Sequence, residues 1–307
     1  MAQPLPTLRQ LSYLLALARR KSFSKAAEDC LVSQSTLSAG VRELERLLGG
    51  RVVDRGGREI ELTPLGEQAT ARARAIMGEA EELVRLAHRR EPLSGAFRLG
   101  LIPTIGPFLL PAALPELRKT YPDLQLYLRE DLTAGLIGDL TAGQIDAAIL
   151  AFPYETAGIE THEIGTDEFV FAASRERAAR LPAKLRPRDL DAEELLLLED
   201  GHCLRDHAIA ACKLLSHGRL KAFGATSLFT LVQMAAAGLG ATLLPELAIA
   251  GGLALGDDIA IRRFVKPAPQ RRIGVAWRAG SGRAQEAGLL ADVFAAALRS
   301  LQSRRPG

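Results

Sequence analysis

The sequence predicts an α/β protein in three parts. Three observations lead there. The first 62 residues hold three short helix-period segments and a Gly-Gly turn, and residues 63–91 carry one long apolar stripe at helical spacing. Beyond Pro92-Leu93-Ser94-Gly95, strand and helix patterns alternate, as they do in α/β domains.

The 307 residues are 48% apolar and 24% charged, which gives a globular chain ample core material. No run of 18 apolar residues is present, so no membrane span is expected. Met1 to Leu8 lack the charged-then-apolar pattern of a signal peptide, so the reducing cytoplasm is the expected compartment. There a cysteine pair is more often transient, catalytic or metal-binding than structural. Residues 1–62 hold ten Lys and Arg against seven Asp and Glu, a surplus of +3 that equals the net charge of the whole chain. A basic end points weakly to a polyanion there.

Residues 8–20 place Leu8, Leu11, Leu14, Leu15 and Ala18 at helical spacing. Ser22 or Ser24 can cap a second helix, "SKAAEDCL", which Val32 and Ser33 break. Ser33 can then cap a third, "QSTLSAGVRELERLLG", closed by Gly49-Gly50. "RVVDRGGREIELT" reads as two short strands around Gly56-Gly57. Three short helices and a hairpin make a winged helix-turn-helix, whose third helix enters the DNA major groove. Gln34, Ser35, Thr36, Ser38 and Arg42 form its polar face, and Leu37, Val41 and Leu44 the buried one. Arg51, Arg55 and Arg58 flank the hairpin, where a wing would touch phosphates. The alternative is a small helical subdomain whose arginines are merely solvated.

"FSKAAEDCLVSQSTLSAGVRELERLLGGRVVDR…LTPLGE" resembles the N-terminal domain of LysR-type transcriptional regulators. Ala26-Ala27, Ser33-Gln34-Ser35, Leu37-Ser38, Leu44-Glu45, Leu48-Gly49, Arg55 and Leu62-Thr63-Pro64-Leu65-Gly66 carry the resemblance. Two positions depart from it: Ser35 stands where the family usually has proline, and Val53-Asp54-Arg55 where it has Phe-Glu-Arg.

Residues 63–91 form the expected linker helix. Leu65, Ala69, Arg72, Ile76, Leu83, Val84 and Leu86 make a stripe over about seven turns. A small winged domain alone cannot cover so long a stripe, whereas a second copy of the chain can; the alternative is a core helix within one chain. The resemblance implies the same dimer. In the last part, "AFRLGLI", "LQLYLRE", "IDAAIL", "EFVFAAS", "LLLLE" and "RIGVAW" read as strands. "GPFLLPAALPELRKTY", "LTAGLIGDLTAGQ", "CLRDHAIAACKLLSHG" and "SLFTLVQMAAAGLG" read as helices. A mostly parallel sheet in two lobes with a cleft is expected. The resemblance implies an effector domain similar to periplasmic binding proteins, spanning residues 95–300. Its first lobe would take 95–164 and 269–300, and its second 165–268.

"GHCLRDHAIAACKLL" holds Cys203 and Cys212. Cys203 opens a helix beside His202, Arg205 and His207, with Asp206 in the first turn. A helix N-terminus and cations favour thiolate, the form that attacks peroxide. Cys212 shares an apolar face with Leu204, Ala208, Ala211 and Leu215, so burial is expected. Nine helical residues rise about 13.5 Å, whereas a disulfide needs Cα atoms within about 7 Å. The helix must therefore unwind before the two sulfurs can join, and the segment reads as a two-state element. Alternatives are a core-filling Cys212 and a passive turn at Cys203. A metal site using His202, Cys203 and His207 has the ligands but not the usual spacing, and neither metal nor cofactor is expected. Cys30 reads as a small buried residue. Arg271 and Arg272 precede the last strand and read as exposed charge, the alternative being that they face the redox segment in one state.

"LLLLEDGHCLRDHAIAACKLL", "IPTIGPFLLPAALPEL", "ATSLFTLVQMAAAGLGATLLP" and "QRRIGVAWR" are similar to the hydrogen-peroxide-sensing members of the same family. That resemblance covers nearly the whole chain. It implies that Cys203 is the peroxidatic cysteine and Cys212 the resolving one. It implies too that His202, Arg205 and Asp206 shape the pocket, with Thr104 and Thr133 offering hydroxyls. Each threonine reads equally as a plain helix cap. The implied protein is no enzyme: it binds double-stranded promoter DNA as a homotetramer, a dimer of dimers, and contacts RNA polymerase. The rivals are a relative sensing a small metabolite in the inter-lobe cleft, a thiol peroxidase, and a periplasmic binding protein.

Overall fold

The structure is a computed structural model that describes residues 4–54, 60–87, 91–154, 157–190, 195–212 and 224–303. The chain divides into two compact units, one of residues 1–90 with 141–144 and one of 91–140 with 145–307.

In the first unit, α1 (Leu8–Arg20), α2 (Phe23–Asp29) and α3 (Gln34–Leu48) precede β1 (Val53–Asp54), β2 (Glu61–Leu62) and α4 (Pro64–Ala87). Each of the first three helices starts at a hydroxyl cap. Thr7 accepts from Gln10 N–H, Ser22 from Lys25 N–H and Ser33 from Thr36 N–H. Such caps satisfy donors that the first turn leaves free. Gly49 ends α3 at a left-handed φ of 72°. Leu37, Val41 and Leu44 of α3 meet Leu11, Leu14 and Leu17 of α1 in one core. β1 and β2 pair antiparallel, Val53 opposite Leu62.

The start of α4 is pinned to the strand region. Thr63 Oγ1 donates to the Arg51 carbonyl at 2.6 Å and accepts from Gly66 N–H at 3.0 Å. A Cβ at Gly66 would stand 1.9 Å from the Val52 carbonyl oxygen, so only glycine allows this approach. Further along α4, Ala69, Ala73 and Met77 turn inward to the unit's own core, while Ile76, Leu83 and Val84 are exposed. The expected stripe is thus split between a covered and an uncovered face. The Leu86 side chain lies outside the described residues.

The second unit runs β3 (Gly95–Leu101), α5 (Gly106–Thr120), β4 (Leu124–Glu130), α6 (Thr133–Thr141), β5 (Ala147–Phe152), β6 (Ile159–Ser174), α7 (Arg175–Ala179), β7 (Lys184–Leu185) and β8 (Leu195–Leu198). It continues α8 (Cys203–Cys212), β9 (Gly224–Ala225), α9 (Leu228–Ala236), β10 (Ala241–Pro245), α10 (Glu246–Ala250), β11 (Ile259–Phe264), β12 (Gln270–Arg278) and α11 (Ala284–Ser303). The sheet order is β4-β3-β5-β12-β6-β10-β8-β9, with β11 on β6 and β7 on β11. β3 pairs parallel to β4 and β5, and β10 parallel to β8. β12 pairs antiparallel to β5 and β6, and β6 antiparallel to β10 and β11, so the sheet is mixed rather than mostly parallel.

β6 joins the two lobes. Residues 159–168 pair with β12, and residues 169–174 pair with β10 and β11. The chain enters this unit through a fixed corner: Leu93, at φ 57°, is buried and donates its N–H to Glu286 Oε1 at 3.1 Å. Arg283 links Glu286 to Asp146 beneath it.

Candidate functional site

Cys203 is the first residue of α8. The turn before it reverses at Gly201, whose φ of 95° is a left-handed value that glycine adopts freely. The helix packs on β8 and β12, burying Leu204, His207 and Ala208. A cavity of about 10 Å³ adjoins the sulfur. It is lined by Ile102, Pro103, Thr104, Leu132, Thr133, His202, Cys203 and Leu204. That is room for about one water-sized solute.

The structure therefore gathers Cys203, Thr104, Thr133 and His202. Neither threonine caps a helix. Thr104 Oγ1 accepts from Arg271 Nη1 at 2.8 Å, and Ile105, which caps α5, does so without a side-chain bond. The buried Thr133 hydroxyl has no formed hydrogen-bond partner and lies where it stabilises a Cys203 thiolate. Arg205 and Asp206 do not line the cavity. Arg205 turns to Asp200 at 3.0 Å and to the Leu198 carbonyl at 3.3 Å, and Asp206 is exposed in the first turn of α8.

Burial pushes the Cys203 thiol up, and the Thr133 hydroxyl and the Arg271 charge pull it back only in part. The local sequence predicts a lowered value, and the difference has a physical cause. Desolvation outweighs the helix terminus, Arg205 is committed to Asp200, and burial holds the His202 imidazole below its usual pKa. The cation near the sulfur comes from β12. Arg271, read as exposed charge, is fully buried and paired with Asp167 at 3.0 Å. Arg272 is exposed as expected and reaches Glu163 at 3.3 Å. Burial, then Arg271, pushes His207 down as well, and its Nδ1 has no partner.

Cys212 closes α8, so the two cysteines are the first and last residues of one ten-residue helix. The Cys212 side chain lies outside the described residues. Cys30 is half-buried against the first unit's core, with its thiol pushed up by burial. Among the described residues no group of three or more His, Cys, Asp or Glu is arranged to hold a metal, and no helix is long and apolar enough to cross a membrane.

In the first unit, Gln34, Ser35, Thr36 and Arg42 are exposed on α3 and Ser38 is half-buried. Ser33 Oγ lies 2.8 Å from Ser35 Oγ and 2.7 Å from Thr36 Oγ1, and Ser24 Oγ donates to Gln34 Oε1 at 3.0 Å. These contacts order the leading turn, while Arg42 stands clear and Arg51 is exposed beside β1. Arg55 and Arg58 lie outside the described residues.

A helix-turn-helix unit joined to a two-lobed α/β domain defines a DNA-binding transcriptional regulator with an effector domain. Residues 8–67 match the bacterial regulatory helix-turn-helix protein, lysR family, and residues 90–299 match the LysR substrate binding domain. The chain belongs to the LysR family of transcriptional regulators, which are not enzymes. It is 40% identical to the HTH-type transcriptional regulator EstR of Acinetobacter baylyi, over 94% of this chain and 96% of that one. It is 38% identical to the DNA-binding transcriptional dual regulator OxyR of Escherichia coli, over 89% and 90%. Full-length OxyR of Pseudomonas aeruginosa, solved with a Cys-to-Asp substitution, superposes with a TM-score of 0.80 at 33% identity, over 95% of each chain.

Proposed function

We propose that this regulator senses hydrogen peroxide in the cytoplasm through Cys203 and answers by forming a Cys203–Cys212 disulfide. One observation carries the reading: a thiol at a helix start faces a cavity of about 10 Å³ lined by two threonine hydroxyls and a histidine. A hydroxyl both donates and accepts, as peroxide does. The Cys203 thiolate attacks one peroxide oxygen, the O–O bond breaks, and the departing hydroxide takes a proton to become water. Cys203 is then a sulfenic acid. The Cys212 thiol displaces its hydroxyl as a second water, so two thiols are oxidised to a disulfide as one peroxide is reduced to two waters. Thr104, Thr133 and His202 contact the peroxide, and Arg205 holds the preceding turn through Asp200 and Leu198. Asp206, exposed on the first turn, adds a negative charge that works against the Cys203 thiolate.

Forming the bond requires α8 to unwind, because its ends cannot meet while it is helical. That rearrangement alters the effector domain of residues 95–300 and, through the linker helix 63–91, the DNA-binding domain of residues 1–62. The chain acts as a dimer of dimers on promoter DNA, reads base edges with Gln34, Ser35, Thr36, Ser38 and Arg42, and touches phosphates with Arg51, Arg55 and Arg58. Contact with RNA polymerase then changes.

A second reading is favoured by the 40% identity to EstR, whose name carries no peroxide response. In it, a small metabolite binds between the lobes and the cysteines are incidental. Replacing Cys203 with Ser decides between them. The peroxide reading expects loss of the transcriptional response to peroxide with DNA binding kept, and a response that survives C203S establishes the metabolite reading.

A further inference from the structure

Asp167 and Arg271 occupy directly opposed positions on β6 and β12. Both side chains are removed from water, at 1% and 0% exposure. Every nitrogen of the guanidinium is committed. Nε donates to Asp167 Oδ2 at 3.0 Å, Nη1 to Thr104 Oγ1 at 2.8 Å, and Nη2 to the Thr104 carbonyl at 3.0 Å. The other carboxylate oxygen, Oδ1, accepts Leu247 N–H at the start of α10, 2.8 Å away. One carboxylate thus fixes the fork that holds Thr104, and Thr104 lines the cavity at Cys203.

Breaking a buried pair leaves an uncompensated charge, which is costly, yet such a pair adds little net stability over apolar residues of the same volume. Stability alone therefore gives a weak account of it. Its geometric effect is definite. Thr104 Oγ1 spends a lone pair on Arg271, which leaves its proton to donate elsewhere, and Thr104 lines the Cys203 cavity.

We propose that Asp167 is a positioning residue for the reaction at Cys203, acting through Arg271 to aim the Thr104 hydroxyl at the peroxide oxygen that leaves. The inference rests on the peroxide reading above. As the O–O bond breaks, negative charge develops on that oxygen, and a donor already aimed at it needs no reorganisation. Asp167 also keeps the guanidinium from swinging into an ion pair with the thiolate, which would raise general thiol reactivity without selecting peroxide.

The test compares two reagents on the full chain, reading the Cys203 peptide by mass spectrometry with Cys30 as an internal reference. Asp167→Asn keeps the shape and the acceptor for Leu247 N–H but loses the charge. Its peroxide rate should fall by about 10- to 100-fold, while alkylation by iodoacetamide should hold steady or quicken. Thr104→Val leaves the ion pair intact and should show the same peroxide-selective loss, and the double variant should lose no more than either single change. Equal losses toward both reagents, or additive losses in the double variant, overturn the proposal. If D167N does not fold, an unchanged peroxide rate in T104V overturns it. A wild-type Cys203 that reacts with peroxide no faster than Cys30 sinks the peroxide reading itself, whereas fast wild type with equally fast D167N sinks only the role of Asp167.

Discussion

Cys203 and Cys212 are the two end residues of α8, a helix whose intact backbone keeps them about 13.5 Å apart along its axis. A disulfide between them is incompatible with that helix, so forming one would require the helix to unwind. Four predictions follow from this and from the surrounding geometry.

The Cys203 thiol is pushed up by burial, so most of it is protonated at neutral pH. Peroxide oxidation should therefore quicken steadily from about pH 7 to pH 9, with no plateau below the ordinary thiol range near 8.5. Thr133→Val removes a group that stabilises the thiolate and should move the profile to higher pH. Stopped-flow rates across that range check both, and a plateau near neutrality would contradict the burial argument.

Burial holds both His202 and His207 below the usual 6.5. In the unfolded chain they regain that value, so between the folded and unfolded pKa the unfolded state binds more protons, and stability rises with pH there. Their contribution is present above about pH 6.5 and is lost as pH falls through the folded values. Thermal melts should show the second unit weakening from pH 7 to pH 5.5, and H207Q should flatten the slope.

α4 leaves Ile76, Leu83 and Val84 exposed along one stretch. A partner chain covering them would bury apolar surface at about 25 cal/mol per Å². Leu83→Asp should shift sedimentation toward smaller species and weaken DNA binding, while the melting of the effector domain stays put. A variant that sediments like the wild type argues against this helix as the dimer seam.

On α3, Gln34→Ala should cost about 1–3 kcal/mol of discrimination at the base it reads. Arg51→Ala should instead weaken binding to every sequence and lower the slope of affinity against salt by about one. Quantitative binding at several salt concentrations separates the two, and equal effects from both changes would mean that α3 does not read bases.

Much of this was legible in the sequence because the signals are local. The cap at Ser33, the left-handed Gly49 and the Leu37-Val41-Leu44 face specify α3 without reference to distant residues. The start of α8 at Cys203 follows likewise from the glycine turn before it and Asp206 in its first turn. What local pattern does not show is pairing at a distance. The polar first half of β6 gains its strand identity from β12, more than a hundred positions away, and that antiparallel partner makes the sheet mixed. β10 is five fully buried residues, too short for a period to show, and β11 gave no alternation to read. The apolar stripe of α11 was legible, with Ala287, Leu290, Ala291, Phe294 and Leu298 all inward, but the helix was not among the predicted elements. The burial of Arg271 is hidden for the same reason as the first half of β6: charge reads as surface unless its counter-ion is known, and Asp167 lies on another strand. The alternative that Arg271 faces the redox segment agrees with its charge acting on Cys203. The direction of the Cys203 shift depended on burial, which neighbours in sequence do not set.

The most direct test treats the reduced full chain with one equivalent of hydrogen peroxide, then maps its cysteine peptides by mass spectrometry without reductant. The account predicts a cross-linked species joining the Cys203 and Cys212 peptides, absent from C203S and C212S, with Cys30 still free. Peroxide-treated protein in which both cysteines remain unlinked, while promoter binding still changes, would contradict it.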